Sequence, residues 1–284
     1  MKGLGARIVR SRVVRGGDIH QARQIHLADG RVLFIKTSPD TAPGLFAAEA
    51  AGLKWLADFG APVPEVVAFC DRDGSQPGWL ALSWVDPVGR GQGRRFGAAL
   101  AALHGHALAE PGWSRPGFIG TLPQDNSPPS TAPQASVGER WADFWVERRL
   151  QPMTRMAGRR LSDGCVALLH EVGDRCGALL ADLPAVAPLH GDLWGGNVLW
   201  AEEGPLFIDP AVYAGDPEVD LAMMALFGGF DAQVWSAYHA VHPRRPGFET
   251  RQALYQLWPL LVHVVLFGGG YAASVERNAR RVLA

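Results

Sequence analysis

His190-Gly191-Asp192-Leu193-Trp194-Gly195-Gly196-Asn197, with Phe207-Ile208-Asp209-Pro210 shortly after it, decides how this chain is read. Turn chemistry alone favours Asp, Asn and Gly, so each piece could be a loop. It does not account for a His two residues ahead of Asp192, an Asn five residues after it, and Asp209 closing the apolar run Leu206-Phe207-Ile208. The stretch sets one carboxylate, one side-chain amide and a second carboxylate in a fixed order along the chain.

That order fits phosphoryl transfer. Asp192 and Asn197 reproduce the D-L-x-x-x-N core of the kinase catalytic loop, and Asp209 stands where a magnesium-binding Asp is expected. A hydroxyl nucleophile must be oriented and lose its proton as it attacks phosphorus, which suits the carboxylate of Asp192. Magnesium prefers oxygen ligands and keeps several waters. The Asn197 amide oxygen and the Asp209 carboxylate, with nucleotide phosphates, can therefore complete its octahedron.

Composition sets the frame. With 284 residues, 48% of them apolar, and a net charge of −1, the chain suits a globular bilobal domain. Near-zero charge gives no sign of a nucleic-acid partner. The N-terminal basic cluster of Lys2, Arg7, Arg10, Arg12, Arg15, Arg23 and Arg31, set against Asp18 and Asp29, reads as a solvated edge-strand face. Cys70, Cys165 and Cys176 are scattered without metal-type spacing, as expected for a reducing cytoplasm. No signal-type apolar run opens the chain. Its longest apolar stretch, Leu257 to Phe267, contains Pro259 and His263 and is too short to span a bilayer, so it is expected to be a core helix.

Working outward, the first third predicts an antiparallel sheet. Ile8-Val9 and Val13-Val14 lie in a β-rich segment that ends at Gly16-Gly17, and strands are expected over Ile19–Leu27 and Val32–Lys36, with Asp29-Gly30 as a hairpin signal. Gly16-Gly17 would fold over nucleotide phosphates, although the full G-x-G-x-x-G is absent. Lys36 closes the third strand as the Lys of V-A-I-K does, and Glu49 on a helix over 44–58 is its expected ion-pair partner. Strands near Pro62–Val67 and over Trp79–Val85 complete a small lobe of residues 1–85. Backbone groups of Ser83, Trp84 and Val85 are expected to meet adenine where the lobes join. Residues 86–284 form the larger, mainly helical catalytic and substrate lobe, with helices over 97–106, 141–150, 165–180, 219–227 and 255–267. Residues 111–138, rich in Pro, Gly and Ser, are expected to be irregular. The fold class is thus α+β, bilobal and protein-kinase-like.

Further stretches carry a family resemblance. They are Gly16-Gly17-Asp18-Ile19, Phe118-Ile119-Gly120, Pro123-Gln124-Asp125-Asn126, Phe144-Trp145-Val146-Glu147-Arg148-Arg149-Leu150, Tyr213 to Met223, Leu226-Phe227-Gly228-Gly229-Phe230, Tyr255-Gln256-Leu257 and Phe267-Gly268-Gly269-Gly270-Tyr271. Together with Asp192-Leu193-Trp194 they resemble the fructosamine kinase (ketosamine 3-kinase) family over nearly the whole chain. The resemblance implies a fold like the aminoglycoside phosphotransferases. It also implies ATP- and magnesium-dependent phosphorylation of the 3-hydroxyl of fructosamine or ribulosamine adducts, free or protein-bound, a step that reverses glycation. By position it gives Asp192 the base role, Asn197 and Asp209 the metal roles, Lys36 the phosphate role and Glu49 the pairing role. Gly195 departs from the family, standing where a Ser is common.

Trp194, beside the proposed base, is a candidate for stacking on the substrate. Asp216 and Glu218 could draw in a cationic ketosamine, whereas Asp220 is expected to brace the catalytic loop through backbone amides. The run from Asp209 to Asp220 is too short for a protein kinase's activation segment and holds no A-P-E, so a small-molecule substrate is expected. An aminoglycoside- or choline-type phosphotransferase of the same fold remains the alternative. A non-catalytic nucleotide-binding relative would be expected to lack one of Lys36, Asp192, Asn197 or Asp209, and none is missing.

Overall fold

Alternating residues of the small lobe separate into two faces and fix its architecture. The computed structural model describes residues 4–14, 21–38, 42–72, 77–89, 91–132 and 134–284. Five strands, β1 (Ile8–Val14), β2 (Gln21–Leu27), β3 (Val32–Ser38), β4 (Val66–Cys70) and β5 (Gly78–Ser83), form one antiparallel sheet in the order β1-β2-β3-β5-β4. Successive side chains on a strand point to opposite faces. Leu33 and Ile35 therefore join Ile25, Leu27 and Trp79 on one face, while Phe34 packs on the other with Leu80 and Leu82. Lys36 shares that second face and pairs across the ladder with Leu80. The expected Gly16 and Gly17 loop lies outside the described residues.

Helix α1 (Leu45–Asp58) covers the second face with Leu45, Phe46, Ala50 and Leu53. Its far end belongs to the other lobe. Leu56 packs with Phe96, Leu100 and Leu103, and Trp55 lies 5.8 Å from Trp113 and Phe59 5.3 Å from His106, centroid to centroid. Beneath the helix, Gly52 leaves room for Val212, whose Cγ2 would lie 3.3 Å from any Cβ there. The small lobe drawn at residue 85 therefore shares a core with the large lobe.

The large lobe contains α2 (Gly93–His104), the short hairpin β6 (Gly117–Ile119) and β7 (Leu122–Gln124), α3 (Val137–Phe144), α4 (Gln151–Ala157) and α5 (Asp163–Leu180). Two further ladders come next, β8 (Ala187–Leu189) with β11 (Tyr213–Gly215), and β9 (Val198–Trp200) with β10 (Pro205–Phe207). Helices α6 (Glu218–Phe227), α7 (Ala232–His239), α8 (Phe248–Phe267) and α9 (Ala272–Leu283) complete it. A π-helical turn over Trp145–Leu150 joins α3 to α4, and the main core gathers Trp141, Trp145, Tyr255 and Trp258. The hairpin at 117–124 corrects the expectation of irregular chain over 111–138. Among the described residues no helix is long and apolar enough to cross a membrane.

Candidate active site

Two nested ladders carry the decisive residues to one end of the lobe. The β9–β10 register pairs Val198 with Phe207, so Asn197 just before β9 and Asp209 just after β10 come side by side; Ile208 N donates to Asn197 O at 3.1 Å. Outside them, β8 pairs Leu189 with Tyr213, and Ala211 N donates to His190 O at 2.8 Å. The catalytic loop thus starts from one ladder and ends at the other. Gly191 turns the chain at φ 79°, where a Cβ would meet Ala211 O at 2.1 Å, so only glycine fits.

Asp220 holds this loop from below, as the sequence led us to expect. Its carboxylate accepts from His190 N at 2.8 Å and from Gly191 N at 2.9 Å. His104 Nε2 lies 3.2 Å from the same carboxylate, and His104 Nδ1 lies 2.9 Å from the Tyr238 hydroxyl. Nothing in the local sequence links α2 and α7 to this loop, and neither residue was anticipated. The buried His190 ring faces Ile208 O at 2.9 Å through Nε2, which assigns its proton to that nitrogen and leaves Nδ1 to accept from Asp192 N at 3.3 Å. Burial lowers the His190 pKa and keeps the ring neutral.

Asn197 Nδ2 donates to Asp192 O at 2.8 Å and to Asp192 Oδ2 at 3.1 Å. The amide nitrogen is thereby spent on Asp192, and among the described residues no hydrogen bond occupies the amide oxygen of Asn197. Asp209 adopts φ 56°, the one left-handed non-glycine backbone among the described residues. Lys36 Nζ lies 2.6 Å from Asp209 Oδ1 and 2.7 Å from Glu49 Oε1. The buried Lys36 ammonium thus sits between two carboxylates. Burial opposes the Lys36 charge, but the two carboxylates more than offset it and its pKa rises. Burial pushes Glu49 up to about 7 even beside Lys36.

Burial, and then the charge of Asp209, push Asp192 up to about 7. In the ligand-free protein, carboxyl NMR of Asp192 is expected to show half-titration near pH 7, with Asp209→Asn moving it down. A midpoint at ordinary carboxylate values would refute this electrostatic description.

A cleft of about 540 Å³ opens over these groups. Asp192, Asn197, Asp209 and Lys36 line it together with Trp194, the hairpin residues Gly117 to Gly120, and the α8 residues His263 and Phe267. Trp194 is 41% exposed, and Gly196 makes room for its ring, because a Cβ there would meet Trp194 Cη2 at 2.2 Å. His263 was not anticipated; its Nδ1 donates to Pro259 O at 2.7 Å and its ring stacks on Phe227 at 4.8 Å. Its four-residue spacing from Phe267 on an apolar helix was the available signal.

One expectation is corrected. Asp216 and Glu218 do not line the cleft and are buried in an ion-pair network. Asp216 Oδ2 lies 2.5 Å from Arg245 Nη2 and accepts from the Tyr255 hydroxyl at 2.8 Å, while Glu218 Oε2 accepts from Arg251 Nε at 2.7 Å. Their charge is neutralised internally. At the lobe junction, Ser83 N donates to Glu65 O at 2.8 Å and Trp84 N to Val32 O at 3.0 Å, so the sheet already uses both amides.

Gly195 also has a packing reason. Its amide donates to Gly228 O at 3.1 Å, and a Cβ would sit 2.8 Å from Gly229 Cα. Two glycines thus let the loop before Phe230 touch the catalytic loop. Gly195→Ala is expected to destabilise the fold by about 1–3 kcal/mol through overpacking. Thermal unfolding alongside steady-state kinetics would check this; unchanged Tm and kcat would show that the contact yields freely.

Known proteins share both the sequence and the fold. The fructosamine kinase family model matches residues 2–284. Mouse ketosamine-3-kinase is 32% identical, over 91% of this chain and 90% of that protein. A Synechocystis protein named a probable ketoamine kinase is 38% identical, over 99% of this chain and 92% of its own. A crystal structure from Thermobifida fusca, provisionally assigned as a fructosamine-3-kinase, superposes with TM-score 0.85 at 40% identity, covering 99% of this chain and 95% of that one. A spectinomycin phosphotransferase, at TM-score 0.55 and 13% identity, shares the fold over 98% of this chain and 90% of its own. The cleft with its Asp-Asn-Asp arrangement is therefore that of a chain belonging to the fructosamine kinase family.

Proposed function

We propose that this chain transfers the γ-phosphoryl group of ATP to the sugar 3-hydroxyl of a ketosamine, with magnesium. The observation that carries the reading is that Asp192, Asn197, Asp209 and Trp194 all line a single cleft. Mouse ketosamine-3-kinase and the rice chloroplastic protein-ribulosamine 3-kinase, the latter 31% identical over 96% of this chain, support the substrate class.

Asp192 takes the hydroxyl proton as the new oxygen–phosphorus bond forms. A carboxylate titrating near 7 is well matched to that task at neutral pH. Asn197 fixes its orientation. Among the described residues no three His, Cys, Asp or Glu side chains cluster to hold a metal alone. That suits magnesium, which would be held by Asp209 and the Asn197 amide oxygen with nucleotide oxygens and water. When bound, it offsets phosphate charge. Lys36, paired with Glu49, supplies positive charge to the nucleotide phosphates. At the lobe junction the carbonyls and the Val85 amide take the adenine contacts, since Ser83 and Trp84 have no amide to give. Trp194 offers its exposed indole face to the sugar or its amine-bearing arm.

The test compares fructosyl-lysine, ribulosyl-lysine, choline and an aminoglycoside as acceptors with magnesium and ATP. Turnover confined to the ketosamines supports the reading and ranks the two sugars. Turnover only on choline or the aminoglycoside would overturn the substrate and leave the chemistry standing.

A further inference from the structure

The near-zero net charge of the chain conceals an uneven distribution. Beyond the cleft mouth formed by Phe267 and Tyr271, which are 65% and 37% exposed, lies a basic surface. The 3-10 turn Gly269–Tyr271 sits against a second 3-10 turn, Gly158–Arg160, with Arg160 O 3.7 Å from where a Gly269 Cβ would stand. Arg155, Arg159 and Arg160 project from this region into solvent, and Arg277, Arg280 and Arg281 do so from α9. Helices α5 and α9 pack together, closely enough that the charges of Glu276 and Arg280 reach the Cys165 thiol at the start of α5. Exposed Arg115 stands two residues before the lining residue Gly117. Near α9 and the 158–160 turn stand Asp163 and Glu276, the latter paired with Arg280 at 2.6 Å, and across the β6–β7 hairpin from Arg115 stands Asp125, paired with Arg148 at 3.4 Å. Among the described residues Arg115, Arg155, Arg159, Arg160 and Arg281 make no ion pair.

Charge left unpaired beside an active-site mouth acts on whatever the substrate brings with it. A ketosamine formed on a lysine side chain can enter the cleft as a sugar, but the flanking polypeptide must remain outside, on the rim. We propose that this basic rim docks acidic polypeptide around the modified lysine, so that the enzyme selects glycated lysines set among Asp and Glu. The inference rests on the ketosamine reading above and names the class of substrate that the same site prefers. Exposed Phe267 and Tyr271 add apolar contact between the sugar and the charged flanks. Complementary charge chiefly raises the rate of encounter and suppresses wrong partners, and salt screens it over about 8–10 Å.

The experiment uses the full chain and three acceptors with one shared fructosyl-lysine group: the N-acetylated amino-acid adduct, a nonapeptide flanked by Glu, and a nonapeptide flanked by Lys. At low ionic strength kcat/KM is expected to favour the Glu peptide over the Lys peptide by about tenfold or more, and added salt should shrink that ratio. Arg159→Glu with Arg160→Glu should erase or invert the preference. Unchanged kcat/KM for the amino-acid adduct in this variant would show that the fold and chemistry are intact. Equal kcat/KM for the two peptides in the wild type, or a preference that survives the charge reversal, would overturn the proposal. If no ketosamine is phosphorylated, the functional reading fails by itself. Fluorescence anisotropy of the labelled peptides then still decides the docking claim, by tighter binding of the Glu peptide or the lack of it.

Discussion

Asp192→Asn is expected to lower kcat by about 10²–10⁴-fold, the usual contribution of a positioned general base, while nucleotide affinity stays near the wild-type value. The substitution keeps the shape of the side chain. Asn197 Nδ2 now donates to Asp192 Oδ2 at 3.1 Å, and it can donate equally to the amide oxygen of an Asn. Loop geometry should survive, because Asp220 holds His190 and Gly191 through their backbone amides whatever stands at 192. Only the proton acceptor is lost. The check is single-turnover kinetics beside equilibrium nucleotide binding. A kcat within threefold of wild type would remove Asp192 from the chemistry, and the proton would then need another acceptor.

Asp209→Asn is the second large effect, and it should appear in metal dependence first. The magnesium concentration for half-maximal rate is expected to rise by at least about 100-fold, since even groups one step removed from a metal ligand are worth about 10–100-fold. Asn is the informative replacement because Asp209 lies at φ 56°, a conformation that Asn tolerates and Ala resists. Lys36 keeps Glu49 as its partner at 2.7 Å, so the ammonium is not stranded. Removing the Asp209 charge also lowers the Asp192 pKa, because that charge helps to raise it. The magnesium defect and the downward shift of the Asp192 titration should therefore arrive together. A variant with wild-type magnesium dependence would exclude Asp209 as a ligand.

Legibility in the sequence obeyed a physical rule. Lys36, Glu49, Asp192, Asn197 and Asp209 were legible because order along the chain and strand or turn context fix their places, and the structure gathers them in one cleft. Asp216 and Glu218 misled because a carboxylate's solvation depends on partners distant in sequence. Arg245 and Arg251 lie well downstream, on no pattern that points back to them. The β6–β7 hairpin escaped notice since three-residue strands leave almost no periodicity, and Pro123 argues locally against a strand. His104 and Tyr238 were silent for the same reason as the arginines: their role exists only once α2 and α7 pack together.

The double attachment of α1 has one more consequence. Kinases that are switched on and off commonly do so by moving the helix that carries the Lys-pairing Glu. Here such a swing would separate Trp55 from Trp113 and Phe59 from His106, strip Leu56 from the large-lobe core, and pull Gly52 away from Val212. Leu56, Gly52 and Val212 lie in buried, close-packed interior, while Trp55, Phe59 and Trp113 are half-buried at its edge. Displacing α1 would therefore open part of the large-lobe core as well as parting Glu49 from Lys36.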